Sequence, residues 1–172
     1  MRLVLSLVVA TVLAATPAPT YTPGAADGGD YCAVRVEPLG SPESPASPAC
    51  FNTQDEVDSY LAAVTSPNKG ARAAAASVVI GTMYKDDNYG GGSYTFYGSG
   101  SCSGVTYGFP SLSADWQNTI SSAKAFASCW VTLYDGASYG GSRYNCTPSC
   151  ASLPLFNDRT KSIVFRPAGT IG

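Results

Sequence analysis

The sequence predicts a mostly β fold: two related four-strand units forming a small β-sandwich, preceded by a short strand and one α-helix. Three observations point there. The 172 residues include 18 Gly, 12 Pro and 11 Tyr but only 2 Met, a composition of short strands and tight turns. From Ser77 onward, strand-like runs are broken by glycine turns. A stretch beginning near Ile80 is echoed 50 positions later. The length fits one domain with appendages.

The elements follow in chain order. Residues 1–15 combine Arg2 with a short apolar core and precede Thr16-Pro17-Ala18-Pro19, so a secretory signal is expected; small residues at Val12/Ala14 or Thr16/Ala18 suit cleavage. Residues 16–30, rich in Pro, Gly and Ala, read as a disordered lead-in. Residues 31–76 form a strand-loop-helix extension. In it, Tyr31–Pro38 alternates as a strand, and the prolines of 40–49 impose a loop. Thr53 and Glu56 make a capping box, and Val57, Tyr60, Leu61 and Val64 give a helix of about 12 residues one apolar face. That helix should end near Ser66-Pro67; residues 71–76 (ARAAAA) stay undecided between helix and coil. Strands follow at 77–84, 93–98, 129–135, 142–146 and 162–166, within a β domain spanning 77–168.

Six cysteines in an exported chain suggest three disulfides, and nearest-neighbour pairing is expected: Cys32–Cys50, Cys102–Cys129 and Cys146–Cys150. A zinc cluster would want a matching CxxC partner, which is missing.

Charge and composition exclude several functions. Ten Lys and Arg face twelve Asp and Glu, for a net charge of -2, with no basic run; nucleic acid is not an expected partner. No stretch after the signal is long and apolar enough to span a membrane. Histidine is absent, which removes His-based triads, His metal sites and imidazole proton shuttles. Ser121-Ser122 lacks a base. Asp86, Asp87, Asp115 and Asp135 read as solvated turn carboxylates rather than a glycosidase pair. No enzyme is expected. Tyr31, Tyr94, Tyr97, Tyr107 and Tyr144 either cover core edges or furnish an aromatic surface for protein or sugar.

The internal repeat carries most of the information. Ile80-x-Thr82-x-Tyr84-KDDN-Tyr89-Gly-Gly91 aligns with Trp130-x-Thr132-x-Tyr134-DGAS-Tyr139-Gly-Gly141. A second echo, at 40 residues, sets Trp116-QNTIS-Ser122 against Phe156-NDRTK-Ser162. The period of two places Ile80 or Trp130, the Thr and the first Tyr on one strand face. The two tyrosines then straddle a folded-over bend. Gly91 and Gly141 fall where a turn needs positive φ, or where a side chain would strike the neighbouring ring. In the second echo an aromatic precedes a polar loop whose Asn, Asp and Ser groups bind their own backbone, and Ser122 or Ser162 enters a strand. Neither unit buries a face alone; stacked, they share one core.

These residues resemble the paired Greek-key signatures of the beta/gamma-crystallin superfamily over residues 77–168, so the expected architecture is two Greek-key motifs. Gln117-NTIS-Ser122 and Asn157-DRTK-Ser162 resemble its calcium-binding stretch, although Gln117 stands where Asn or Asp is usual. The resemblance implies a Ca²⁺ site made by the Ser121 hydroxyl, the Thr119 carbonyl and the Asp158 carboxylate, with a bend contribution from the Asp86/Asp87 region. All are hard oxygens; one carboxylate among neutral donors implies a Kd of roughly 10⁻⁴–10⁻³ M. The second site would use Asn118 and the Arg159 carbonyl, but Lys161 replaces its hydroxyl, and an ammonium repels a dication. That site is expected to be inactive, with Lys161 paired to Asp135.

The format also resembles secreted microbial members, among them a metalloproteinase-inhibitor family and killer-toxin-like proteins. The leading expectation is a secreted, extracellular, non-enzymatic, monomeric domain with at most one weak calcium site. The alternatives are an inhibitor of an extracellular protease, presenting a disulfide-locked loop at 136–150, and a killer-toxin-like antimicrobial protein acting on a cell-surface component.

Overall fold

The computed structural model describes residues 29–66 and 77–172. The expected signal, nearly all of the lead-in and the undecided segment 71–76 lie outside the described residues. In chain order the elements are β1 (Tyr31–Arg35), β2 (Glu37–Pro38), β3 (Ala49–Phe51), α1 (Gln54–Thr65), β4 (Val78–Tyr84), β5 (Ser93–Gly98), β6 (Tyr107–Phe109), β7 (Ser122–Ala125), β8 (Cys129–Tyr134), β9 (Arg143–Cys146), β10 (Ser149–Cys150) and β11 (Ser162–Pro167). Single-turn 3₁₀ segments at Asp87–Tyr89 and Ala137–Tyr139 make the two bends.

The strands form two sheets, ordered β10-β7-β4-β5-β1-β3 and β2-β6-β11-β8-β9. Their order reveals the two Greek keys. In the first unit β4 pairs antiparallel with β5 on one side and β7 on the other, while β6 crosses to the opposite sheet and pairs with β11. The second unit repeats this: β8 lies between β9 and β11, and β10 crosses over to pair with β7. Each unit thus lends its third strand to the other. Separating the units would strip a strand from both sheets.

Between the sheets lies one core, filled by Ile80, Met83, Tyr94, Phe96, Phe109, Leu133, Ile163 and Phe165. Tyr94 stacks on Trp116 (centroids 5.1 Å apart, planes at 15°) and meets Phe96 and Phe109 edge-on, the offset and T-shaped arrangements that aromatic quadrupoles favour.

One expectation about faces holds only in the second unit. Trp130, Thr132 and Tyr134 alternate with Val131 and Leu133, which face the core between the sheets. In β4 the register slips between Val79 and Gly81, so Ile80 is an extra residue and turns into the core beside Met83, away from Thr82 and Tyr84. The bulge lets Gly81 approach the Phe165 ring so closely that a Cβ there would overlap it.

The extension becomes part of the first sheet. β1 pairs in parallel with β5, from Tyr31↔Ser93 to Arg35↔Tyr97, and β3 pairs antiparallel with β1. The chain then crosses at Val36, whose N–H donates to the Tyr97 carbonyl, and β2 joins β6 in the other sheet. Helix α1 starts at the expected capping box: Thr53 Oγ1 accepts from the Glu56 N–H (3.3 Å), and Glu56 accepts from the Thr53 N–H (3.1 Å). It stops at Thr65 because Ser66, preceding Pro67, is extended (ψ 132°). Its apolar face packs on the outer face of the first sheet, where Val57, Leu61, Ala33 and Tyr97 form a second small core. Burying a side chain such as Val57 or Leu61 contributes about 1.5–3 kcal/mol. All three disulfides pair as expected: Cys32–Cys50, Cys102–Cys129 and Cys146–Cys150. Among the described residues no helix is long and apolar enough to cross a membrane.

Candidate functional site

The two bends and the two polar loops meet at one end of the sandwich, and each bend is locked by its own loop. In the first unit, Asn88 and Tyr89 adopt positive φ (58° and 64°); in the second, Ser138 and Tyr139 do the same (52° and 64°). Non-glycine residues enter this region at a cost, so something must hold them there. A buried serine does. Ser122 Oγ accepts from the Tyr89 N–H (3.0 Å) and donates to the Asp86 carbonyl (2.6 Å). Ser162 Oγ accepts from the Tyr139 N–H (3.0 Å) and donates to the Gly136 carbonyl (2.6 Å). The tyrosine pairs fold over the bends edge-on, with centroids 5.7 Å apart for Tyr84–Tyr89 and 6.1 Å for Tyr134–Tyr139. Burial raises the phenol pKa of Tyr84, partly offset by a hydrogen bond to Thr82, while Tyr89 and Asp58 push it further up. Burial, with help from Tyr134, raises that of Tyr139. Gly91 and Gly141 have φ of 69° and 77°. A Cβ on either would strike a carboxylate, of Asp86 or Asp135 respectively, rather than the tyrosine ring.

The loops cross-link to each other. The Asn118 N–H donates to the Thr160 carbonyl (2.9 Å) and the Asp158 N–H to the Ile120 carbonyl (3.1 Å); Asn118 and Asp158 share positive φ of 60° and 53°. This exchange carries Asp158 of the second loop to Ser121 of the first. Ser121 Oγ lies 3.4 Å from Asp158 Oδ1 and donates to the Lys85 carbonyl at 2.6 Å. The bend oxygen that reaches Ser121 therefore comes from Lys85, one residue before the expected Asp86/Asp87 region. Thr119 sits half-buried in the same loop, its hydroxyl donating to the Trp116 carbonyl (3.0 Å). A hydroxyl, a carbonyl and a carboxylate thus converge, a donor set that fits a hard divalent cation with one anionic ligand. Among the described residues no three His, Cys, Asp or Glu cluster as a richer metal site would.

The equivalent place in the second unit does not fit a cation. The Lys161 N–H donates to the Tyr134 carbonyl (2.7 Å), matching Ser121 to Tyr84 (2.9 Å), so Lys161 occupies the position of the hydroxyl ligand. The expected partner of Asp135, however, is wrong. Arg159, not Lys161, binds the Asp135 carboxylate (2.6 Å), because the third loop position faces the bend while the fifth sits on its backbone. Asp135 is further held by the Ser142 N–H (2.7 Å).

The clamping role of Ser122 and Ser162 was not read from sequence, although both close the repeated loop that follows each bend, a usable signal once the loop is known to return to its bend. Of the five tyrosines weighed as a recognition surface, Tyr94, Tyr97 and Tyr107 are buried.

A sandwich of two Greek-key units that exchange their third strands is a crystallin-like Greek-key fold, in line with the tyrosine and serine signatures. Within it, residues 83–146 match the model of peptidase inhibitor family I36. Solved structures similar to the chain are beta/gamma-crystallin domains. One from Flavobacterium johnsoniae shares 26% identity, covering 54% of this chain and 99% of its own, with a TM-score of 0.40. One from Clostridium beijerinckii shares 21%, covering 51% and 97%, with a TM-score of 0.39. The N-terminal domain of protein S shares 18%, covering 51% and 96%, with a TM-score of 0.42. No curated protein matches the chain.

Proposed function

We propose that the chain is a secreted, non-enzymatic inhibitor of an extracellular peptidase, of the metalloprotease class first. The observation that carries this reading is the match of residues 83–146 to peptidase inhibitor family I36, which runs from the first bend through β9. Three disulfides suit an oxidising compartment, and the apolar segment 1–15 supports export. The segment that meets the peptidase is 136–150. It runs from the second bend along β9, the edge strand of its sheet, into the loop closed by Cys146–Cys150, and it exposes Ser142, Arg143, Thr147, Pro148 and Ser149. An edge strand offers unpaired backbone groups to an extended cleft, and a bridged loop loses little entropy on binding.

The exported chain is expected to inhibit a metalloprotease or, in parallel assays, a serine protease at submicromolar concentration, and reduction of its disulfides should abolish the effect. No inhibition by the folded, oxidised chain at ~10 µM against either class would end this reading.

A second reading concerns the loops: one weak Ca²⁺ site held by Ser121 Oγ, the Thr119 carbonyl and the Asp158 carboxylate, with the Lys85 carbonyl. It is favoured by the approach of Ser121 to Asp158 across the two units. Calcium there would tie the loops together and supply rigidity rather than reaction chemistry.

A further inference from the structure

The first unit has a cleft that the sandwich alone would not make. Helix α1 packs over β1 and β3, and beside it, above the neighbouring β5 and β4, opens a cavity of about 580 Å³, within the range of small-ligand sites. Its floor is unusual for a sheet face beside a packed helix. Thr82, Ser93 and Thr95 lie there, at most 6% exposed, where apolar side chains would ordinarily be buried. The bend tyrosines Tyr84 and Tyr89 close one end, and Gln54 and Asp58 line the helix side.

The polar groups form an ordered relay. Ser93 Oγ donates to Gln54 Oε1 (2.6 Å), Gln54 Nε2 donates to Asp58 Oδ1 (2.8 Å), and the Thr82 and Thr95 hydroxyls share a hydrogen bond (3.1 Å). Asp58 ends the relay and forms no ion pair among the described residues. The nearby ammonium groups are engaged elsewhere, Lys124 over the Tyr89 ring (3.8 Å) and Lys85 with Asp30 (2.6 Å).

These groups select a ligand by exclusion and by fit. An anion would meet Asp58 with no cation among the described residues lining the cleft to offset it. A wholly apolar ligand would strip water from the Asp58 carboxylate without supplying a donor in its place. A hexopyranose avoids both problems. Its C–H face packs on a tyrosine while its equatorial hydroxyls donate to Asp58 and exchange hydrogen bonds with Gln54 and the floor.

We propose that this cleft binds a neutral hexopyranose residue of a glycan, with Asp58 and Tyr84 as the principal contacts. The extension 31–66 then has a function of its own: it supplies the second wall. The test is heteronuclear NMR titration of the exported chain with chitotetraose, cellotetraose and laminaritetraose, alongside tetragalacturonate and tetralysine as charge probes. At least one neutral tetrasaccharide is expected to give saturable shifts in α1, β4 and β5, weakened about tenfold or more in Asp58→Asn and in Tyr84→Ala. Asp58 is exposed on the helix, so Asp58→Asn keeps the fold, and Tyr84→Phe isolates the hydroxyl while retaining the ring. The proposal is overturned by no saturable shift with any neutral probe at ~10 mM, by binding unchanged in Asp58→Asn and Tyr84→Ala, or by preferential binding of tetralysine, which would make the cleft a cation site. Peptidase inhibition by Asp58→Asn should equal that of the parent chain, because β9 belongs to the other sheet; the two readings therefore stand or fall separately.

Discussion

The two Greek-key units close on the same hydrogen bonds but balance their charges in opposite ways. Each has a buried serine bridging its bend, a tyrosine pair folded over it and an aromatic ahead of its loop. In the first unit the cation over that aromatic comes from the bend: Lys85 lies 4.9 Å from the Trp116 centroid. In the second it comes from the loop: Arg159 lies 5.5 Å from the Phe156 centroid and binds Asp135 on the bend. Position 85 is a lysine where position 135 is an aspartate, and Thr119 stands where Arg159 does. Outside the core, the copies share what the backbone geometry needs and differ where only surface charge is at stake. The exception is the hydroxyl at Ser121, replaced by Lys161, which leaves one unit with a donor set for a cation and the other with a cation of its own.

The core side of the loops offers the largest break in this symmetry. Ile120 and Thr160 occupy equivalent, fully buried positions, each carbonyl accepting from the opposite loop, yet Thr160 Oγ1 has no hydrogen-bond partner among the described residues. Ile120→Thr should cost about 2–4 kcal/mol, the loss of apolar contact plus an unpaired hydroxyl, whereas Thr160→Val should stabilise by about 1 kcal/mol. Urea unfolding of both variants checks the pair; equal effects of the same sign would show that the positions are not equivalent.

The clamps come next. Ser122→Ala and Ser162→Ala each remove a hydroxyl that makes two hydrogen bonds and leave a backbone N–H of a positive-φ tyrosine without its acceptor. Each should cost about 2 kcal/mol in denaturant unfolding, by the same amount in both units. A much smaller loss in one would mean that its bend is held by the tyrosine pair instead.

How much of this was legible follows from how local each feature is. The capping box at Thr53, the bends at 84–91 and 134–141 and the loops are written in contiguous residues, so their types and spacing were readable. The disulfides followed because each joins sequence neighbours. Strands β6 and β10, with three residues and two, are too short to show a period, and the exchange of third strands was hidden with them. The bulge at Ile80 left no local mark either; it answers to Phe165 on the opposite sheet. The Ser121–Asp158 approach was implied by family resemblance, while its bend oxygen slipped by one residue to Lys85, a register that only the folded bend sets. The cleft beside α1 needs the helix placed on β1 and β3 and those strands added next to β5, contacts between segments with no shared pattern.

Calcium tests the exception at position five. With a Kd of roughly 10⁻⁴–10⁻³ M, about 5 mM Ca²⁺ should stabilise the chain by about 1–2 kcal/mol over chelated protein. The shift should vanish in Ser121→Ala and in Asp158→Ala and persist in Lys161→Ala, since the second unit contributes only Asp158. A melting temperature indifferent to millimolar calcium would remove the ion from the account and leave Ser121 as a purely structural hydroxyl.

The smallest effect belongs to the charge reversal itself. The guanidinium of Arg159 is half-exposed and Asp135 less so, and the pair spans 2.6 Å between loop and bend. Exposed ion pairs recover little, because water solvates the separated charges well and ordering the long side chain costs entropy; Arg159→Ala should therefore cost under about 1 kcal/mol and lose most of that at high salt. Asp135→Ala should cost more, because the Ser142 N–H loses its acceptor as well. The double variant separates the two contributions: if the coupling between Arg159 and Asp135 approaches zero, the loop-to-bend ion pair is an outcome of the fold and the serine clamp alone closes the second unit, just as it closes the first with no such pair.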